Sequence, residues 1–264
     1  LSSIIESNID AHLVHIGTMG VYGYSSGENT FIPEGYIDAD LQFENNYSER
    51  RNILYPFNPG SIYHLSKSLD NLIFQFYNKN DNLQITDLHQ GIVWGSQTNE
   101  TKLNEALINR FDYDGDYGTV LNRFLIQAAV NFPLTVHGTG NQTRALINLN
   151  DTIKCLEIAM LNPPRSNEKV RIFNQVAETN SVIALAKMIS KITNCKIDYF
   201  DNPRNEAEAN DLTVKNDQLK SLGFNPVYLN EESLDELYNF AKKYSNRCDL
   251  SKIPSKPNWK NNNK

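Results

Sequence analysis

A tyrosine and a lysine four residues apart, Tyr63 and Lys67, form the pair of side chains in this 264-residue chain best suited to chemistry. On a helix, positions i and i+4 lie on one face, so the phenol and the ammonium would address one site. A free phenol has a pKa of about 10 and is a poor base at neutral pH. A lysine charge about 4 Å away would stabilise the phenolate by roughly 4 kcal/mol in surroundings of effective dielectric near 20, and so lower the pKa of the phenol toward neutrality. The pair predicts a general base that takes a proton from a hydroxyl group as hydride leaves the adjoining carbon.

The same spacing occurs a second time, at Tyr238 and Lys242. This second pair lies on a predicted amphipathic helix late in the chain, with no threonine at the end of a preceding strand. Tyr63, in contrast, follows a strand that ends in Gly17 and Thr18. The context favours Tyr63 over Tyr238 as the functional residue, and the alternative for Tyr63 and Lys67 is an ordinary helix with partly exposed side chains.

The elements around Tyr63 indicate an α/β fold. Residues 12–18 are predicted to form a buried strand, residues 21–59 a long loop, and residues 83–93 a second buried strand. A helix begins after Ser61, and its apolar residues recur at helical spacing, so we expect one stripe to face a core. That stripe consists of Leu65, Leu69, Leu72, Ile73 and Phe76. Strand, connection, helix and strand in this order predict a parallel sheet with crossover helices.

The rest of the chain continues as alternating strands and helices after a polar stretch at 97–116. We predict helices at 120–130, 151–161, 181–192, 215–222 and 231–244, strands at 134–137, 145–149 and 171–176, a loop at 199–208 and a polar tail after 251. Asp151 would cap the second of these helices.

Composition narrows the classes of protein. A net charge of −6 argues against a nucleic-acid binder, since no basic stripe is available for phosphates. No apolar run approaches the ~18 residues of a membrane span. Three cysteines without metal-binding spacing fit a reducing compartment, and no metal site is predicted. The chain starts at Leu1 and enters a buried strand almost at once, so we expect it to be part of a longer protein.

Six segments together resemble the UDP-sulfoquinovose synthases, a branch of the extended short-chain dehydrogenases/reductases within the NAD-dependent epimerase/dehydratase family. They are VHIGTMGVYG, SIYHLSK, DLHQGIVWG, LNRF-x-x-QAAV, PLTVHGTGNQTRA and NPRNEAEAN. The resemblance runs from about residue 12 to the end of the chain, in the same order and spacing.

The resemblance implies an incomplete Rossmann-type parallel sheet with a smaller carboxy-terminal α/β substrate domain. Residues 1–95 would be the remaining part of the NAD-binding domain, and 96–250 mainly the nucleotide-sugar domain. A segment near 134–176 would return to the Rossmann side, and 251–264 would be a tail. The family's opening third, with its Gly-rich phosphate loop, has no counterpart here, so this chain alone is expected to be inactive.

The resemblance also implies a reaction. The family uses tightly held NAD to oxidise UDP-glucose at C4, eliminates water across C5 and C6 to give a 4-keto-5-ene, adds sulfite at C6 and returns the hydride to C4. Tyr63 would be the base at C4, Lys67 would hold the cofactor ribose, and Thr18 would hydrogen-bond the 4-hydroxyl. Related dehydratases carry an Asp-Glu pair after this threonine, and plant-type members carry an acid in place of Val21. His64 is then a candidate acid for the elimination, and a packing histidine is the alternative.

Further positions carry over from the family by motif. Gly17, Gln90 and Val93 would lie near the nicotinamide with Tyr63 and Lys67, although strand packing also explains Val93, and His89 is expected to be structural. Guanidinium groups suit a diphosphate because they donate in pairs. Surface ion pairs are the alternative for Arg144 and Arg204, and Glu206 would bind a ribose hydroxyl or pair with Arg204. The implied substrate-binding set is Thr18, Met19, Gln90, Asn122, Gln142, Arg144, Arg204 and Glu206.

Two other functions are alternatives to that of a UDP-sulfoquinovose synthase. A UDP-hexose 4-epimerase or dehydratase is disfavoured by the Thr-Met-Gly stretch, and a non-catalytic nucleotide-binding regulator would not need Thr18, Tyr63 and Lys67 intact. The expected partners are UDP-glucose, sulfite, a second copy paired through the tyrosine-bearing helix, and a sulfite-donating protein. Nucleic acid and membrane are not expected, and the location would be a bacterial cytoplasm or a plastid stroma.

Overall fold

The computed structural model describes residues 1–23, 30–44, 47–201, 209–210 and 212–253. Its helices are α1 (Ser2–Glu6), α2 (Ile62–Asp81), α3 (Val120–Ala129), α4 (Leu149–Leu161), α5 (Val182–Thr193), α6 (Asp217–Ser221) and α7 (Glu231–Lys243). Its strands are β1 (His12–Thr18), β2 (Thr30–Ile32), β3 (Tyr36–Gln42), β4 (Ser48–Leu54), β5 (Gln84–Gln90), β6 (Ile92–Trp94), β7 (Leu134–His137), β8 (Asn141–Asn148), β9 (Arg171–Gln175), β10 (Glu178–Ser181), β11 (Ile197–Phe200), β12 (Ala209–Asn210) and β13 (Leu212–Val214). Among the described helices, none combines the length and apolar character required to cross a membrane.

The sheet that carries the tyrosine helix is parallel, in the order β1, β5, β9. Helix α2 packs on β1 and β5, and α4 also packs on both strands. The predicted parallel sheet with crossover helices is confirmed. Its register places Thr18 beside Gln90 and Gln90 beside Gln175. The carboxyl ends of the three neighbouring strands therefore each carry a polar side chain.

A second sheet is built around β8, which pairs with β10 antiparallel and with β6 and β12 parallel. The strand predicted at 83–93 is therefore two strands, because the chain changes partners at Gly91. A side chain there would meet Ala145 O at 2.9 Å, so glycine allows the close crossing. The division into two domains near residue 95 stays a prediction.

The prediction of a long loop at 21–59 is wrong, because this segment contains β2, β3 and β4. Strands β3 and β4 form an antiparallel hairpin, and β2 pairs with β13 near the end of the chain. Strand β3 alternates exposed polar residues with half-buried ones, β4 exposes most of its polar residues, and the polar composition of the hairpin resembles that of a loop.

The stripe of α2 that was expected to face a core is exposed. Its members are 41% to 59% accessible, namely Leu65, Leu69, Leu72, Ile73 and Phe76. The residues that α2 buries against the sheet are Ser68, Asn71 and Phe74. The prediction is wrong because the face that α2 turns to the sheet carries these three residues, which leaves the apolar stripe on the opposite side.

The helix boundaries follow local capping. Ser61 accepts a hydrogen bond from His64 N at 3.2 Å and begins α2, and Asn82 ends it in the left-handed conformation. Asp151 does not cap α4, because Asn148 does so. The buried carboxylate of Asp151 instead accepts from Val227 N at 2.6 Å and fastens the chain before α7.

Candidate active site

Thr18 ends β1 and turns the chain into a short 3-10 helix, Met19–Tyr22. Its hydroxyl oxygen accepts a hydrogen bond from Gly20 N at 3.1 Å, and its side chain stays partly exposed. The side chain of Met19 is only 1% exposed and packs in a core cluster with Val21 and Ala145. The hydroxyl of Thr18 is therefore held on a rigid, buried turn.

His64 connects this turn to α2. A methyl group at Gly20 would lie 2.1 Å from His64 Nε2, so the imidazole rests directly against the glycine backbone. Any side chain at residue 20 would have to displace the ring. The Thr-Met-Gly sequence thus brings the first turn of α2, with Tyr63 and His64, onto the end of β1.

Tyr63 is 47% exposed, and its ring lies 5.5 Å from that of His64. Partial burial raises the pKa of the Tyr63 phenol above its usual value. This direction is opposite to the lowering predicted from Lys67. The difference arises because the ammonium of Lys67 is bound elsewhere, 3.1 Å from Ile16 O and 3.2 Å from His15 Nε2.

A buried polar network lies behind Lys67. The carboxylate of Asp87, only 1% exposed, accepts hydrogen bonds from His15 Nδ1 at 2.9 Å, Asn71 Nδ2 at 2.7 Å and His89 Nε2 at 3.1 Å. Burial by itself would raise the pKa of Asp87, but the charge of His89 and these hydrogen bonds outweigh it and hold the pKa well below its usual range. His89 Nδ1 reaches the hydroxyl of Tyr22 at 2.8 Å.

This network was not predicted from the sequence, except that His89 was expected to have a structural role. One signal was available: Asp87 and His89 stand two residues apart in a strand that was predicted to be buried, so they share a face. Gly17 belongs to the same arrangement, since a methyl group there would lie 2.5 Å from Asp87 Oδ1.

The remaining positions near the strand ends are placed as follows. Gln90 donates through Nε2 to Gln175 Oε1 at 2.9 Å, across the edge where β5 and β9 end. Val93 is partly buried and packs against the cluster that contains Leu88 and Ile147. The roles assigned to Gln90 and Val93 stay predictions.

The substrate-binding set is only partly described. Asn122 lies in the first turn of α3. Gln142 is buried, donates to His137 O at 3.2 Å, and leaves its Oε1 without a hydrogen-bond partner among the described residues. Arg144 is half-buried and precedes Ala145, which packs with Met19, so β8 passes beside the Thr18 turn. The other two members, Arg204 and Glu206, lie outside the described residues.

The arrangement brings Thr18, Tyr63 and His64 together at the carboxyl end of β1. It offers a hydroxyl, a half-exposed phenol and an imidazole, with an ammonium anchored under the same helix. Such a set can bind a hydroxyl-bearing ligand and exchange protons with it. No cluster of histidine, cysteine and carboxylate side chains suited to a metal occurs among the residues described.

No family model matches the chain. It is 41% identical over 266 residues to the chloroplastic UDP-sulfoquinovose synthase of Spinacia oleracea, an alignment that covers 98% of this chain and 53% of the relative. It is 34% identical to the UDP-sulfoquinovose synthase of Sulfolobus acidocaldarius, covering 98% of this chain and 66% of the relative. The chain thus spans between half and two thirds of the length of these relatives.

Solved structures with the same fold include the UDP-glucose 4-epimerase of Thermotoga maritima, with a TM-score of 0.64, 18% identity, and coverage of 92% of this chain and 66% of that one. The dTDP-glucose 4,6-dehydratase of Streptomyces venezuelae gives a TM-score of 0.67 with 12% identity, and coverage of 94% and 65%. These likenesses establish the Rossmann-type α/β fold. Over 98% of its own length, the chain is thus similar to UDP-sulfoquinovose synthases.

Proposed function

We propose that this chain carries the reacting groups of a UDP-sulfoquinovose synthase, which converts UDP-glucose and sulfite to UDP-sulfoquinovose with NAD. The observation that carries the proposal is the convergence of Thr18, His64 and Tyr63 at the end of β1. It occurs in a chain 41% identical to the spinach enzyme of that name.

The residues at the strand ends fit NAD. Dinucleotides bind outside the carboxyl ends of parallel strands in open α/β sheets, which is where Thr18 and Gln90 lie. The phenol of Tyr63 and the ammonium of Lys67 would hold ribose hydroxyls, and Gly17, Gln90 and Val93 would line the nicotinamide side. When bound, NAD supplies a reversible hydride acceptor for C4 of the sugar.

The protein groups would move the protons. Tyr63 takes the proton of the 4-hydroxyl as the C4–H bond breaks, while Thr18 hydrogen-bonds the same oxygen. The resulting 4-ketone acidifies the C5–H bond, and His64 passes the proton released from C5 to the departing 6-hydroxyl, which leaves as water. The sulfur lone pair of hydrogensulfite then forms the bond to C6, the proton that hydrogensulfite releases goes to C5, and Tyr63 returns its proton to O4 as C4 is reduced. The sum is UDP-glucose plus hydrogensulfite giving UDP-sulfoquinovose plus water.

The diphosphate and uridine would be bound from the substrate side. Arg144 and Arg204 are proposed for the phosphates, Asn122 and Gln142 for polar contacts to the nucleotide, Met19 through its backbone, and Glu206 for a ribose hydroxyl. The buried Oε1 of Gln142 without a described partner supports a ligand contact at that position. A separate sulfite-donating protein is also proposed, in a cytoplasm or a plastid stroma.

The test uses the full-length protein with NAD, UDP-glucose and sulfite, and identifies the product by mass spectrometry. We expect a sulfonated UDP-hexose whose formation requires sulfite. UDP-galactose as the product, or a 4-keto-6-deoxy sugar formed without sulfite, would replace the proposal by an epimerase or a dehydratase. Binding of UDP-glucose without any turnover would favour a nucleotide-binding regulator.

A homodimer paired through α2 is part of the proposal. The exposed face of this helix carries apolar residues over four turns, from Ile62, 65% exposed, to Phe76, 59% exposed. A continuous apolar stripe of this length on a soluble protein marks an interaction surface. Two copies of the stripe would cover each other about a two-fold axis.

Replacing Leu69 and Leu72 together by glutamate should convert the full-length protein from dimer to monomer. Burying two carboxylates per copy in an apolar interface costs several kcal/mol, which is enough to dissociate a dimer with an interface of ordinary size. Light scattering after gel filtration measures the mass. Leu103→Glu is the control, because Leu103 is 88% exposed outside the stripe and should leave the dimer intact. A monomeric wild type, or a dimeric double variant, would contradict the assignment.

A further inference from the structure

The ammonium of Lys67 is fixed by residues of another strand. Its Nζ lies 3.2 Å from His15 Nε2 and 3.1 Å from Ile16 O, both on β1, and 3.9 Å from Asp70 Oδ2 on its own helix. A lysine ammonium has three donors and no acceptor, so His15 Nε2 must accept this hydrogen bond. The single proton of a neutral His15 ring is therefore on Nδ1.

That proton points at Asp87. His15 Nδ1 lies 2.9 Å from Asp87 Oδ1, where it donates to a carboxylate that is 1% exposed. The other carboxylate oxygen accepts from Asn71 on α2 and His89 on β5. Asp87 is thus held from three elements, and it sets both the orientation and the tautomer of His15.

We infer that His15, oriented by the buried carboxylate of Asp87, is a positioning residue that fixes the ammonium of Lys67 under the strand that ends at Thr18. The assignment rests on the proposed function for what Lys67 does in turnover, but the anchoring itself is a property of this chain. The carboxylate of Asp87 and the imidazole of His15 act as a pair: Nδ1 of His15 bonds Asp87, and Nε2 faces Lys67.

The anchoring has a consequence for Tyr63. Partial burial raises the pKa of the Tyr63 phenol. The charge of Lys67 does not offset this effect, because Ile16 O and His15 hold the ammonium. Loosening Lys67 lets its charge approach a phenol one turn away, which lowers the pKa of Tyr63. The groups that face Lys67 are His15 on β1, Asp70 on α2 and, through His15, Asp87 on β5.

Two substitutions of His15 test its two hydrogen bonds separately, the one to Asp87 and the one to Lys67. In His15→Asn, the side-chain amide can occupy the Nδ1 position and still donate to Asp87, but the acceptor at the Nε2 position is lost and Lys67 keeps only Ile16 O as an acceptor. In His15→Gln, the amide oxygen can occupy the Nε2 position and accept from Lys67, while the bond to Asp87 is lost. His12→Asn is the matched control, because His12 stands on the same strand, bonds Thr86 Oγ1 at 2.8 Å and does not contact Lys67.

The first readout is NMR of this chain. We expect the Nζ signal of Lys67 to be protected from exchange in the wild type, His12→Asn and His15→Gln, and to broaden beyond detection in His15→Asn. The pKa of Tyr63, followed by the 13Cζ shift, should fall in His15→Asn alone. Unchanged Lys67 and Tyr63 signals in His15→Asn would overturn the inference. So would equal changes in both His15 variants, since a merely structural histidine predicts equal losses.

The second readout is turnover of the full-length protein. A misplaced Lys67 should lower kcat roughly 10-fold to 100-fold in His15→Asn, with most of the rate restored in His15→Gln and no loss in His12→Asn. Equal rates in His15→Asn and the wild type would count against the inference. A wild type without sulfonating activity would end the proposed function, but the NMR comparison would still decide the role of His15.

Discussion

Replacing Tyr63 by phenylalanine is expected to lower kcat about 10²-fold to 10⁴-fold, the usual contribution of a positioned general base. The phenyl ring keeps the packing against His64 at 5.5 Å, so the site stays folded. The affinity for UDP-glucose should stay within about twofold, because a single neutral hydrogen bond contributes little beside the contacts to the diphosphate. Steady-state kinetics and calorimetric titration of the full-length protein measure the two quantities.

The chain contains its own control for this experiment. Tyr238 and Lys242 repeat the spacing on α7, where the ammonium lies 6.0 Å from the ring centroid and the ring packs against the core. Tyr238→Phe should leave kcat unchanged. Retained turnover in Tyr63→Phe, or an equal loss in Tyr238→Phe, would remove the catalytic assignment from Tyr63.

Asp87→Asn is expected to lower the free energy of unfolding by about 3–5 kcal/mol, the range for breaking a buried charged pair by changing one partner. The carboxylate accepts from His15, Asn71 and His89, and an amide would turn an NH₂ group toward at least one of these donors. Urea denaturation followed by circular dichroism measures the change. Asp10→Asn is the matched control at an exposed position and should have almost no effect.

The same substitution changes the response to acid. The pKa of Asp87 is depressed in the folded state, so its contribution to stability is fully present above the ordinary carboxyl pKa. That contribution is lost as pH falls below about 4 toward the depressed value, because the unfolded chain then binds the proton first. The wild type should lose stability over this window more steeply than Asp87→Asn. Parallel curves would mean that Asp87 carries no such contribution.

The parallel sheet could be predicted because strand, helix and strand periods follow one another on either side of Tyr63. The direction of the α2 stripe could not. A stripe such as Leu65, Leu69 and Leu72 indicates that a face must be covered, but not by which surface. The sheet instead takes the face with Ser68, Asn71 and Phe74, and Asn71 donates to Asp87.

The position of Lys67 is unpredictable for a similar reason. Spacing in sequence places Tyr63 and Lys67 on one helix face, but the acceptors that fix the ammonium, Ile16 O and His15, come from a distant strand. The break at Gly91 is also decided by tertiary contact, since nothing in the segment 83–93 indicates that β6 will pair with β8.

Hydride transfer at C4 is tested most directly with UDP-glucose deuterated at C4, incubated with the full-length protein, NAD and sulfite. If Tyr63 and Thr18 serve one site for both oxidation and reduction at C4, the sulfonated product retains deuterium at C4, and Tyr63→Phe forms this product about 10²-fold to 10⁴-fold more slowly. A sulfonated product that has lost the deuterium, or a product without a sulfonate group, would contradict this function.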